Sequence, residues 1–271
     1  MRRDGIAPLR MRTQRLWGTR FDTPREVVRW LTALQAQEFP MAKWSVAQRT
    51  RGASKADVDQ AFADGVIVRT HVLRPTWHFA LGEDIRWLLK ATAPRVNALT
   101  AYYNRQHKLD TKLFAKSNSI IAPATLNDFT RWSSVTAAEG REALALVGKS
   151  LESEVIGGRT FWFGSAPPPR VSTSRKPRVD LVQGYDEIIM SYSESRDASF
   201  TPVDSRLLHA VLLDGRMIGK WKPVARRNWV VLKTVLGRAL TRVERDALGA
   251  AIHAYASFAG VPLTVARTRG K

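Results

Sequence analysis

The stretch Val66–Leu81, VIVRTHVLRPTWHFAL, decides the fold class. Val66, Val68 and Val72 are β-branched and recur with a period of about two, the spacing of one strand face. Leu73–Pro75, LRP, breaks the run. A second alternation follows, with Thr76 and His78 to one side and Trp77 and Phe79 to the other. The pattern predicts a two-stranded ribbon. What precedes it is helical. Thr23–Gln37, TPREVVRWLTALQAQ, opens with Thr23 as N-cap, Pro24 in the first turn and Glu26 to complete a capping box. Val27, Trp30, Leu31 and Leu34 fall on one helical face. Pro40 cannot sit inside a continuing helix, so this one is expected to end between Leu34 and Phe39. Met41–Thr50 predicts a second helix, and Ser54–Gly65 a third, capped by Ser54 and stopped by Gly65.

Three short helices and then a ribbon is the order of a winged helix. Glu83–Leu109 returns to helical spacing. Ala124–Ser165 repeats the plan in miniature: helix, turn, helix, and a hairpin around Gly157-Gly158. Ala166–Arg178, APPPRVSTSRKPR, reads as a stiff basic linker. Beyond it come a hairpin, His209–Trp221, with Asp214-Gly215 as its tight turn, a strand at Arg227–Leu236, an amphipathic helix at Thr241–Gly260 and a last strand at Val261–Arg267. The expected fold class is α+β: tandem winged-helix units followed by a small β-rich C-terminal domain. The expected boundaries are 1–115, 116–172 and 173–271.

The chain has 271 residues, with 43 Lys and Arg against 24 Asp and Glu, a net charge of +19. Such a field captures polyanions. No apolar run is long enough to span a bilayer, and the arginine-rich start has no apolar core of a signal peptide. Double-stranded DNA is therefore the expected partner of a cytoplasmic, nucleoid-associated monomer. No cysteine is present, which excludes disulfides, thiol nucleophiles and thiolate zinc sites. None of the five histidines falls in an HExxH pattern, and no P-loop or GxGxxG occurs. No metal and no cofactor are expected.

Five segments in order carry a resemblance: LTALQAQEFP (31–40), IVRTHVLRPTWHFALGEDIRWLL (67–89), DFTRWSSVTAAEGREAL (128–144), LVQGYDEIIMSY (181–192) and VLLDGRMIGKW (211–221). Together the chain resembles the AlkZ-like winged-helix DNA glycosylases, which remove alkylated bases and unhook crosslinks. That resemblance implies three winged helices before a β-rich domain. Here LFAKSNSII runs almost directly into APATLNDFTRW, so the middle winged helix is expected to be missing.

The resemblance also places the catalytic Gln-x-Gln motif on Gln35 and Gln37. Breaking an N-glycosidic bond develops positive charge on the sugar and needs a positioned water. A base alkylated at N7 or N3 is already cationic and leaves without an acid. Orientation and modest electrostatics then suffice, and a glutamine can accept from water while its NH2 donates to phosphate or sugar. On an extended segment the two side chains share a side; on a helix they stand about 200° apart, and the helix-breaking Pro40 favours the extended reading. Glu38 is either a general base or a solvated, cap-related carboxylate. Thr76 and His78 are expected to support the glutamine segment, with a purely structural role as the alternative. The basic N-terminal arm, with Arg2, Arg3, Arg10, Arg12 and Arg15, is expected on the phosphate backbone, with a solvated tail as the alternative. Arg69 and Arg74 are read as phosphate contacts, with Arg216 and Lys220 on the Asp-Gly hairpin. The motif holds no lysine for a Schiff base, so a glycosylase here is monofunctional. The alternative function is a winged-helix DNA-binding protein with no chemistry.

Overall fold

The computed structural model describes residues 6–73, 76–99, 124–133, 137–147, 151–164, 176–192, 209–225, 230–260 and 263–267. Helix α1 (Ile6–Thr13) leads to α2 (Pro24–Leu31). The capping box forms as expected: Thr23 accepts from the Glu26 N–H, and Glu26 accepts from the Thr23 N–H. The helix then stops short of its sequence pattern. Thr32 turns the backbone at φ 61°, ψ −50°, and Ala33–Gln35 leave as strand β1. The strand wins because Ala33 and Leu34 are fully buried there and their backbone finds a partner strand. A β-branched residue at positive φ is a strained one, and it stands immediately before the glutamine segment.

Helix α3 (Phe39–Arg49) starts two residues before Met41, because Pro40 sits in its first turn instead of ending a helix. Helix α4 (Lys55–Ala63) is capped by Ser54 and Asp57 reciprocally. Strands β2 (Ile67–Val72) and β3 (Thr76–Leu81) make the expected ribbon, with Val72 opposite Thr76. The ribbon gains a third member: β1 pairs with the free edge of β3, giving the order β1-β3-β2. Helix α5 (Ile85–Leu99) follows. Helices α6 (Leu126–Ser133) and α7 (Ala137–Val147) precede the hairpin β4 (Leu151–Ile156) and β5 (Arg159–Gly164). Its turn places Gly157 and Gly158 at φ 58° and 77°, the left-handed conformations that a two-residue turn demands.

The C-terminal part contains β6 (Val179–Val182), the short helix α8 (Glu187–Met190), β7 (His209–Leu213), β8 (Arg216–Ala225), β9 (Val230–Leu236), α9 (Arg242–Ala259) and β10 (Leu263–Arg267). Its five strands run in the order β10-β9-β8-β7-β6, antiparallel except for the parallel pair β9 and β10, which α9 connects. The architecture is α+β. The expected boundaries near 115 and 172 lie outside the described residues. One core nevertheless runs through both ends of the chain. Trp44 of α3 packs edge-on to Tyr255 of α9 at 5.2 Å, and Tyr255 meets Trp221 of β8 at 5.0 Å. The Trp44 indole N–H also donates to the Leu181 carbonyl of β6 at 2.7 Å. This shared core fixes the glutamine segment against the sheet. Among the described residues no helix is long and apolar enough to cross a membrane.

Candidate active site at Gln35–Glu38

Gln35 ends β1 and is buried, with 3% of its surface exposed, whereas Gln37 is exposed. The extended reading of the segment holds for Gln35. The chain leaves the sheet before Gln37, so the two amides differ in environment. Five hydrogen bonds to its backbone grip the segment. The Gln35 N–H donates to Glu187 Oε1 at 2.9 Å, and the Gln35 carbonyl accepts from Gln183 Nε2 at 3.2 Å. The Ala36 N–H donates to the Trp77 carbonyl at 2.7 Å. Arg69 closes the other side, donating from Nε to the Ala36 carbonyl at 3.1 Å and from Nη2 to the Gln37 carbonyl at 3.4 Å. Its guanidinium lies 4.3 Å from the Trp77 ring, which restrains the fork further. Arg69→Lys keeps the charge and loses that fork. The expected result is amide exchange at Ala36 about tenfold faster, read by hydrogen exchange.

Glu38 follows directly as the N-cap of α3, but its side chain makes no capping bond. Its carboxylate is half-buried instead, and burial raises its pKa above the ordinary value. Glu38 Oε2 lies 3.4 Å from His209 Nε2. His209 is buried at the start of β7, its ring 5.1 Å from that of Trp221. The Gly184 N–H points at His209 Nδ1 at 3.3 Å, so Nδ1 accepts and the proton sits on Nε2, facing Glu38. Burial lowers the His209 pKa from 6.5 to about 4, so the ring is neutral at pH 7. The unfolded chain therefore binds an extra proton between those values. This contribution to stability is complete above pH 6.5 and is lost as pH falls toward 4. Urea unfolding at pH 7.5 and 4.5 is expected to show wild type losing about 2–3 kcal/mol more than His209→Gln.

His78 is fully buried and stands directly across from Gln35 in the register of β1 and β3, with its Nδ1 2.9 Å from the Thr76 carbonyl. The expected neighbourhood of His78 and the glutamine segment is therefore present. Thr76 does not join it: it pairs with Val72, and its Oγ1 is buried with no partner among the described residues. Arg74 lies outside the described residues, as do Arg2 and Arg3. Arg12 sits half-buried on α1. Arg15 is half-buried too, its guanidinium 4.7 Å from the Trp30 ring. Arg10, expected on the phosphate backbone, is instead buried: it pairs with Asp128 at 3.2 Å and lies 4.0 Å from the Tyr192 ring. Arg216 is exposed and Lys220 half-buried on β8. The Asp-Gly turn that carries them is docked, because Asp214 exchanges backbone and side-chain bonds with Arg178 and a Cβ on Gly215 would meet Met11 of α1 at 2.9 Å. Asp186 and Glu187 belong to α8, with Asp186 as its N-cap.

Gln183, Glu187 and His209 escape a reading of the sequence as site residues. All three lie about 150 residues or more beyond the glutamines. Nothing local marks them except the segment LVQGYDEIIMSY, whose two polar clusters interrupt an apolar run.

With this geometry in view, the comparisons are specific. The family model described as DNA glycosylase AlkZ-like matches residues 28–117 and 111–258. The two matches overlap at residues 111–117. A search by sequence among curated proteins finds no match. The fold is similar to that of Streptomyces sahachiroi DNA glycosylase AlkZ, with a TM-score of 0.75 at 15% identity, over 98% of this chain and 100% of that one. The family matches cover most of the chain, and the chain belongs to the AlkZ-like DNA glycosylase family.

Proposed function

We propose that this protein is a monofunctional DNA glycosylase that hydrolyses the N-glycosidic bond of N-alkylated, cationic purines or crosslinked nucleotides in duplex DNA. One observation carries the reading. An exposed amide, Gln37, follows a buried and backbone-anchored Gln35 and precedes the half-buried carboxylate of Glu38. A rigid support under an accessible polar group is what positioning a water requires. In the reaction, water attacks the sugar C1′ and the glycosidic electron pair passes to the departing base, which neutralises its cation. Gln37 orients the water, and Gln35 holds the strand end from which Gln37 projects. No lysine adjoins the motif, so the product is an intact abasic site.

The winged-helix order of α2–α4 and the β1-β3-β2 sheet supports DNA as the surface bound, and the net charge of +19 supports capture of the phosphate backbone. The protein works as a monomer in the cytoplasm, on the nucleoid, without a cofactor. Incubation with a duplex carrying N7-methylguanine is expected to release the free base and leave a strand that breaks only after alkali. Salt-dependent binding with no base release assigns the chain to the alternative, a DNA-binding protein without chemistry.

A further inference from the structure

We propose that His209 is a positioning residue whose Nε2–H holds the Glu38 carboxylate as proton acceptor for the attacking water. The inference rests on the glycosylase reading and goes past the glutamine pair.

The geometry supports it from three sides. First, the tautomer is fixed from behind. The Gly184 N–H occupies the Nδ1 lone pair, which leaves the proton of the neutral ring on Nε2, and Glu38 Oε2 lies 3.4 Å from that nitrogen. Catalytic hydrogen bonds are often long in a free enzyme and tighten in its substrate complex. Secondly, the ring cannot swing away, because it is buried and packed against Trp221, which is itself fully buried and bonded through its indole N–H to the Val182 carbonyl. Thirdly, Glu38 is placed for use. Its other oxygen has no partner among the described residues, and the side chain keeps 30% exposure beside the exposed Gln37.

The remaining charged groups around the segment are turned to other partners. Arg69 of β2 serves the Ala36 and Gln37 carbonyls, Lys43 of α3 pairs with Asp59, and Glu187 of α8 bonds the Gln35 N–H and the Ser191 hydroxyl. His209 is thus the group that sets Glu38. In the step itself, the water oxygen forms its bond to C1′, one water proton passes to Glu38, and the base leaves with the glycosidic electrons. The raised carboxyl pKa suits this role, because a stronger base takes the proton more readily.

The test is single-turnover release of N7-methylguanine from a duplex between pH 5 and 9, at saturating protein, with binding measured in parallel. Glu38→Gln is expected to lose about 100-fold in rate with DNA affinity unchanged. His209→Ala is expected to be about tenfold slower, with its acid limb shifted to higher pH, because the carboxylate has lost the donor that favours its charged form. His209→Gln, which offers an amide N–H near the position of Nε2, is expected to restore the limb and most of the rate. Release by wild type combined with an unmoved acid limb in His209→Ala, or with a normal rate in Glu38→Gln, overturns this inference and leaves the glycosylase reading intact. No release by wild type overturns both. Loss of rate in both histidine variants without a shifted limb marks His209 as merely structural and also overturns it.

Discussion

Arg49→Met is expected to lower the melting temperature by roughly 10 °C, the largest stability change of any single substitution argued for this chain. Arg49 and Asp186 form an ion pair in which neither side chain has any exposure. The pairing is bidentate: Nη1 donates to Oδ2 at 2.8 Å and Nη2 to Oδ1 at 2.6 Å. Two further donors are spent on backbone, Nε on the Gln14 carbonyl and Nη1 also on that of Ser45. Burial by itself would raise the Asp186 carboxyl. The Arg49 charge and hydrogen bonds more than offset that, and the group sits below the usual carboxylate range. Removing the arginine strands a buried anion, at a cost of about 3–5 kcal/mol. The loss also reaches the site. Asp186 caps α8, and α8 carries the Glu187 that holds the Gln35 N–H. The double variant Arg49→Met/Asp186→Asn removes both charges and keeps a capping side chain, so it is expected to melt several degrees above Arg49→Met alone. A thermal scan by circular dichroism checks both. A single variant that melts with wild type would mean that the buried pair is solvated by a route the geometry does not contain.

Local chemistry is what a single sequence displays, and it accounts for what could be read in advance. The Thr23 and Ser54 caps, the Gly157-Gly158 hairpin and the Val66–Leu81 ribbon depend on residues within one turn or one strand of each other. The errors share a different cause. Leu34 and Gln35 continue a helical pattern perfectly well, and only the free edge of β3, more than 40 residues later, converts them to strand. Pro40 marks a boundary correctly but does not say which side of it is helical. The site divides in the same way. Gln35, Gln37 and Glu38 are visible because they are consecutive. Gln183, Glu187 and His209 are brought to them by a core that joins α3, β8 and α9. Arginines were the least legible residues. Arg10, Arg49 and Arg69 look like DNA-facing charge in a basic chain, yet two are buried in ion pairs and the third fastens the glutamine loop. Charge states an affinity for anions without saying which anions, and an internal carboxylate answers as well as a phosphate.

The two glutamines are expected to fail differently, and the difference is the sharper test of the site. Gln37→Ala removes an exposed side chain from a loop whose backbone is held through other residues, so folding and DNA affinity should match wild type. Base release should nevertheless fall by about 100-fold or more, the scale for deleting one positioned polar group from a reacting centre. Gln35→Ala acts on a buried residue. Its backbone bonds to Glu187 and Gln183 survive the substitution, but a buried amide is lost, so about 1–2 kcal/mol of stability should go along with the activity. Because both side chains serve one constellation, the double variant should be little slower than the worse single variant. Release of N7-methylguanine under single-turnover conditions, beside urea unfolding of the same preparations, separates the cases. If Gln37→Ala releases base at the wild-type rate, the exposed amide is a bystander, and the water must be held elsewhere. If both variants bind DNA normally and neither releases base, the motif is a working site in which Gln35 builds the platform and Gln37 performs the positioning.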